Sequence, residues 1–167
     1  MPDVYLRTPH LLDDQVVFVA DDDVWRTPLD GGVATRLTSD RVPVSRPRLS
    51  PDGQHLAWAS RRDGEPEVYV APADGGAPQR LTWWGSPHTR LIGWSDASTV
   101  VAAAPSGQPF RTHAWAYGLP LTGEPPQRLP YGPIGGLARS TDGATVLQSV
   151  VLRDAPTWKR YRGGTAG

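Results

Sequence analysis

The stretch Ser50-Pro51-Asp52-Gly53-Gln54-His55-Leu56-Ala57-Trp58-Ala59-Ser60, followed by Glu67-Val68-Tyr69-Val70-Ala71, Asp74-Gly75-Gly76 and Arg80-Leu81-Thr82, holds one full copy of the unit that decides the fold. Leu56 to Ser60 and Glu67 to Ala71 are short, largely apolar bursts bounded by turn formers. That is the pattern of strands, in which successive side chains point to opposite faces. Asp52-Gly53 sits where a hairpin must reverse, because glycine accepts the positive φ of primed turns and aspartate tolerates it. Asp74-Gly75-Gly76 marks the next reversal.

The same markers recur on both sides. Arg36-Leu37-Thr38 precedes Arg80-Leu81-Thr82 by 44 residues, and Arg128-Leu129-Pro130 follows it by 48. Asp30-Gly31-Gly32 precedes Asp74-Gly75-Gly76, again by 44. Ser140-Thr141-Asp142-Gly143 answers Ser50-Pro51-Asp52-Gly53 at 90 positions' distance, with Ser95-Asp96-Ala97-Ser98 as a degenerate copy between them. Strand-like bursts recur at Val16 to Ala20, Val24 to Leu29, Val100 to Ala104, His113 to Leu121 and Thr145 to Val151, with no helical period of comparable length. A repeat of roughly 45 residues holding about four short strands is the arithmetic of a propeller blade. The expected fold is all-β: an incomplete β-propeller of about three and a half four-stranded blades, at approximately 9–44, 45–88, 89–135 and, in part, 136–167. Closed propellers have about four to eight blades, so the chain is expected to be a fragment, exposing apolar blade faces around Trp158 and the last strands.

Seventeen basic residues balance 17 acidic ones, so no broad positive field marks a nucleic-acid or anionic-membrane partner. Cysteine is absent, which excludes disulfides, thiolate nucleophiles and cysteine metal sites together. No early apolar run has signal-peptide form, and none approaches the roughly 18 residues of a membrane span. A cytoplasmic location is therefore expected. With seven Trp in the chain, 18 Gly and 18 Pro indicate many tight turns rather than disorder.

The blade grammar of Ser-Pro-Asp-Gly turn, Asp-Gly-Gly turn and Arg-Leu-Thr resembles TolB-like propellers. Longer segments narrow the resemblance: Val16-Val17-Phe18-Val19 with Asp22-Asp23-Val24-Trp25, then Gln108-Pro109-Phe110, then Trp158-Lys159-Arg160-Tyr161-Arg162-Gly163-Gly164-Thr165-Ala166-Gly167. In this order and spacing, from Pro9 onward, they resemble the amino-terminal six-bladed propeller of tricorn-type serine peptidases. That resemblance implies a parent chain that completes this propeller and adds a seven-bladed propeller, a PDZ-like domain and α/β catalytic domains. The catalytic serine and histidine would lie in those later domains, and the parent would be a homo-hexamer. Its substrates would be oligopeptides, with the propellers gating or guiding their passage. The expected partners of this chain are thus peptides and the remaining domains of its parent, with no cofactor. The competing readings are a TolB-like protein-interaction module without peptidase activity, which a stop soon after one propeller would favour, and the propeller of a prolyl oligopeptidase relative, which predicts a downstream α/β-hydrolase elbow.

His10, His55, His88 and His113 lack the spacing of a zinc motif, and no Gly-x-Ser-x-Gly elbow is present, so neither a metal nor a catalytic residue is expected here. Asp21-Asp22-Asp23 lacks the alternating ligands of a calcium loop and reads as a solvated hairpin. Some tricorn-type peptidases carry adjacent arginines at the start of the third blade that anchor the peptide carboxyl terminus. The matching stretch here, Ser86-Pro87-His88-Thr89-Arg90-Leu91, is shorter and supplies one, so only Arg90 is carried over as a substrate-binding candidate. A guanidinium suits that role through bidentate hydrogen bonds to a carboxylate. Arg61-Arg62, beside Asp63-Gly64, reads as a solvated turn. Trp25, Trp58, Tyr69, Trp94 and Trp115 are expected to pack between blades.

Overall fold

The computed structural model describes residues 5–109, 113–140 and 143–149. Trp158 and the terminal segment, Phe110, and Thr141-Asp142 lie outside the described residues. The first sheet is β1 (Arg7–Leu12), β2 (Gln15–Ala20), β3 (Asp23–Pro28) and β4 (Thr35–Arg36), hydrogen-bonded in that order. The second repeats it with β5 (Val44–Leu49), β6 (His55–Ser60), β7 (Glu67–Pro72) and β8 (Gln79–Arg80). The third holds β9 (Arg90–Asp96), β10 (Thr99–Ala104), β11 (Trp115–Pro120) and the long β12 (Gln127–Arg139). Every neighbouring pair is antiparallel. The early half of β12 pairs with β11, through Arg128 and Tyr117, and its later half pairs Ile134 to Arg139 with β13 (Thr145–Ser149). One strand thus closes the third blade at its outer edge and opens the next at its inner one. This is an incomplete β-propeller, and no helix occurs among the described residues.

Apolar bursts located β2, β3, β6, β7, β10 and β11 because these middle strands are covered by neighbouring blades. The burial of β6 and β10 is nearly continuous along each strand. The two faces of a blade feed two cores. Val17, Val19 and Val24 of the first blade meet Leu56, Trp58 and Tyr69 of the second, with the Trp58 and Tyr69 rings stacked at 6.2 Å. From the other face of the second blade, Ala57, Ala59, Val68 and Val70 meet Leu91, Val100, Ala102, Tyr117 and Leu119 of the third. Ala103, Ala116 and Ile134 start the next layer. Trp94 joins second and third blades directly, donating its indole N–H to the Arg48 carbonyl at 3.0 Å. On β13, Val146 is 68% exposed and Leu147 42%, on opposite faces of the strand.

The repeated Arg-Leu-Thr has a physical cause. Thr38 Oγ1 donates to Asp23 Oδ1 at 2.7 Å and accepts the Val24 N–H at 2.9 Å, tying the end of β4 to the start of β3. In the second blade Thr82 donates to Glu67 Oε2 and accepts the Val68 N–H at 2.9 Å. The arginine of each tripeptide approaches the same acid: Arg36 to Asp23 at 3.9 Å and Arg80 to Glu67 at 3.3 Å. In the third blade both ends change together. The register that matches Tyr117 to Tyr69 and Arg128 to Arg80 puts Trp115 where the acid stood, and Pro130 replaces the threonine. Arg128 there lies 4.8 Å above the Trp115 ring, so a cation–π contact takes over from the ion pair.

The turns follow the same economy. Ser50 Oγ donates to Asp52 Oδ1 at 2.6 Å and accepts the His55 N–H at 2.9 Å, while Gly53 takes a φ of 69° that a side chain would strain. The acidic run at 21–23 splits by role. Asp21 and Asp22 have φ of 48° and 61° and form the hairpin turn, as expected, with Asp22 paired to Arg7 at 2.9 Å. Asp23 departs from the solvated reading: it is buried, because its carboxylate is turned into the Thr38 and Arg36 contacts.

Candidate functional site

The strands β1, β5, β9 and the later half of β12 lie side by side and carried no apolar signature, since their burial is mixed along each strand. Their residues repeat in register. Arg7 and Ser45 hold equivalent pairings, as do His10 and Arg48, with Thr8-Pro9 and Arg46-Pro47 between them. Both pairings slip at this point, and Thr8 and Arg46 have φ of 48° and 53°. A residue preceding proline favours extended backbone, so a left-handed conformation there costs on the order of 1–3 kcal/mol. The Arg46 amide is held by Thr8 Oγ1 at 3.2 Å, which couples the two bulges. The bulge leaves Arg46 exposed while Pro47 is buried beneath it.

Arg46, Arg48, Arg90 and Ile92 line a cavity of about 310 Å³ together with Gly135, Gly136 and Gln148. Arg90 lies at the start of β9, half-buried, and reaches the Ile134 carbonyl of β12 at 3.5 Å. Arg48 is also half-buried and donates to the Pro47 carbonyl at 2.8 Å. Burial pushes the pKa of Arg48 and Arg90 down, and the Arg46 charge beside each pushes the same way. His10 on β1 is lowered by burial first and by Arg48 second, and its Nε2 is buried without a hydrogen-bond partner. The result is a wall of positive charge on consecutive inner strands. Such a wall can bind an anion through charge-assisted hydrogen bonds, and a carboxylate in particular through the planar guanidinium fork.

Arg90 is thus the one sequence candidate that falls in this cavity. Arg46 and Arg48, which join it, were not signalled, since nothing in the sequence marks β5 as a channel strand; their alternation about Pro47, matching Thr8-Pro9-His10, is the available clue. Arg61 and Arg62 lie away from the cavity, paired to Glu65 at 3.2 Å and Asp40 at 3.4 Å. His55 leans on Trp94, ring centres 6.3 Å apart. Among the described residues no group of three or more His, Asp or Glu is placed to hold a metal ion.

Stacked four-stranded antiparallel sheets, with an arginine-lined cavity between their first strands, define the class: a segment of a β-propeller. Residues 3–167 match the family model described as the tricorn protease N-terminal beta propeller domain, and the chain belongs to that family. It is 52% identical over 164 residues to tricorn protease homolog 1 of Streptomyces coelicolor, covering 98% of this chain and 15% of that protein. It is 30% identical to the putative tricorn-like protease N-terminal subunit of Sulfurisphaera tokodaii, covering 98% of this chain and 84% of that protein. Among solved structures, the crystal structure of the tricorn protease superposes on 88% of this chain, and 15% of its own, with a TM-score of 0.77 at 23% identity, a likeness of fold. The chain therefore spans about a seventh of the length of the Streptomyces relative and most of the Sulfurisphaera one.

Proposed function

We propose that this chain is the noncatalytic propeller portion of a tricorn-type serine peptidase, a hydrolase that degrades oligopeptides, and that it gates or guides peptides along the channel lined by β1, β5, β9 and β12. The observation that carries this reading is the family match over residues 3–167. The arginine-lined cavity supports it, because every linear peptide with a free terminus offers a carboxylate. In this reading Arg90 contacts that carboxylate. The serine nucleophile and its histidine belong to other domains of the parent, which works in the cytoplasm as a hexamer without a cofactor.

Two measurements test the proposal. Downstream reading of the gene should reveal a second propeller, a PDZ-like domain and a serine active site; an α/β-hydrolase elbow or an early stop would overturn it. In the intact parent, Arg90→Ala should raise KM for short peptides with free carboxyl termini about 10-fold, the loss of roughly one charge-assisted hydrogen bond. An unchanged KM would remove Arg90 from the substrate path.

A further inference from the structure

Charge pairing sets two groups apart among the described arginines; Arg26, Arg41, Arg128 and Arg139 fall in neither, Arg26 donating to the Ala73 carbonyl at 3.1 Å and Arg128 lying over the Trp115 ring. Arg7, Arg36, Arg61, Arg62 and Arg80 each sit 2.9 to 3.9 Å from a carboxylate. Arg46, Arg48 and Arg90 have no carboxylate partner among the described residues, although they share one cavity and two of them are half-buried. Buried charge without a counter-charge is costly, and like charges gathered together add to the cost. Folding places them there regardless, and a backbone outlier at Arg46 completes the set. Strain and uncompensated charge concentrated at one spot are the marks of a site that an incoming group completes.

The remaining lining narrows the ligand. One carboxylate is satisfied by a single guanidinium fork, so three guanidinium groups on β5 and β9 exceed what a peptide terminus alone requires. Ile92, Leu137 and Val146 supply an apolar strip beside the charges, which a compact inorganic anion would not use. Gly135 and Gly136 leave that wall without side chains, and a Cβ at Gly136 would come within 2.9 Å of Gln148 Oε1, so glycine also keeps the Gln148 amide in place at the cavity edge. Strand glycines commonly mark where another backbone draws close.

We propose that the Arg46, Arg48 and Arg90 cavity is a charge-selective site for peptides bearing two neighbouring carboxylates, a free chain terminus and an acidic side chain beside it. The propeller channel then favours acidic peptides over neutral ones of the same size. The choice of a peptide as the ligand rests on the function proposed above; the surplus of unpaired positive charge does not.

The test uses the full-length protein after treatment with a sulfonyl fluoride, so that bound peptide persists, and isothermal titration with Ala-Ala-Ala-Asp, Ala-Ala-Ala-Asn and inorganic phosphate. The Asp peptide should bind about 10-fold or more tightly than the Asn peptide, a preference that weakens with added salt. Arg46→Gln and Arg48→Gln should each bring the ratio toward one. Arg46→Gly, which suits a φ of 53° better than any side chain, should do the same without misfolding. Equal affinity for both peptides would overturn charge selection and leave peptide guiding intact. Binding of phosphate with neither peptide would overturn both.

Discussion

Replacing Thr82 by valine isolates the contact that makes Arg-Leu-Thr recur. The side chain keeps its shape and loses only its hydroxyl, which in the native protein is buried, donates to Glu67 and accepts the Val68 amide at 2.9 Å. After substitution the Val68 N–H has no acceptor, at a cost of about 1–3 kcal/mol. Glu67, 1% exposed, keeps the Gly85 N–H at 2.7 Å and Arg80 at 3.3 Å but loses one donor to a charged group, which adds about 1.5 kcal/mol or more. The sum is about 3 kcal/mol. For a cooperative unit of this size that lowers Tm by roughly 6–12 °C. Urea denaturation followed by tryptophan fluorescence reads it directly, with Thr82→Ser as the control that retains the hydroxyl and loses about 1 kcal/mol for one buried methyl. Thr38→Val should cost less, because Thr38 is only half-buried, so water can reach the groups it leaves, whereas Thr82 is buried. If Thr82→Val lies within about 0.5 kcal/mol of the unmodified protein, in the range of an ordinary surface substitution, the hydroxyl does not hold the strands and the account of the repeat is wrong.

Gly53→Ala should destabilise by about 1 kcal/mol, because φ at 69° is the left-handed region while the nearest atom to a new Cβ, Leu12 Cδ2 at 3.7 Å, is in ordinary contact; a neutral result in the same denaturation would remove the strain argument. Burial and Arg48 hold His10 below its ordinary value, so its contribution to stability is complete above the unfolded value near 6.5 and is lost as pH falls through the lowered one. His10→Gln should therefore flatten the decline in stability below about pH 6.5, and an unaltered slope would refute this. Tyr69, buried and donating to Asp63 at 2.6 Å, is pushed up to about 12. Alkaline absorbance titration should show a late phenol that Tyr69→Phe removes, and its stabilising effect, present below about pH 10, should fade as pH rises toward the higher value.

The strands buried on both faces could be read from the sequence because burial by two neighbouring blades writes itself as an apolar run: Leu56 to Ser60 and Val100 to Ala104 admit little else. The turns could be read because Asp52-Gly53 and Asp74-Gly75-Gly76 carry backbone angles that few other residues tolerate. Outer strands β4 and β8, two residues long, show no periodicity and announced themselves only by their Arg-Leu-Thr tag. Inner strands were silent for another reason. One side of β5 packs through Pro47 and Leu49 while the other carries Ser45, Arg46 and Arg48, and a mixed pattern broken by a bulge resembles a loop.

Sequence alone therefore determined the repeating four-stranded unit, its period and the family, because these are local properties of turns and of strands that must be covered. Arg90 could be named from a matched motif, but its company could not. Arg46 and Arg90 are 44 residues apart and meet only because successive blades bring their inner strands together around one channel. Which charges are neighbours is set by the radial stacking of the blades, and that is a property of the folded chain.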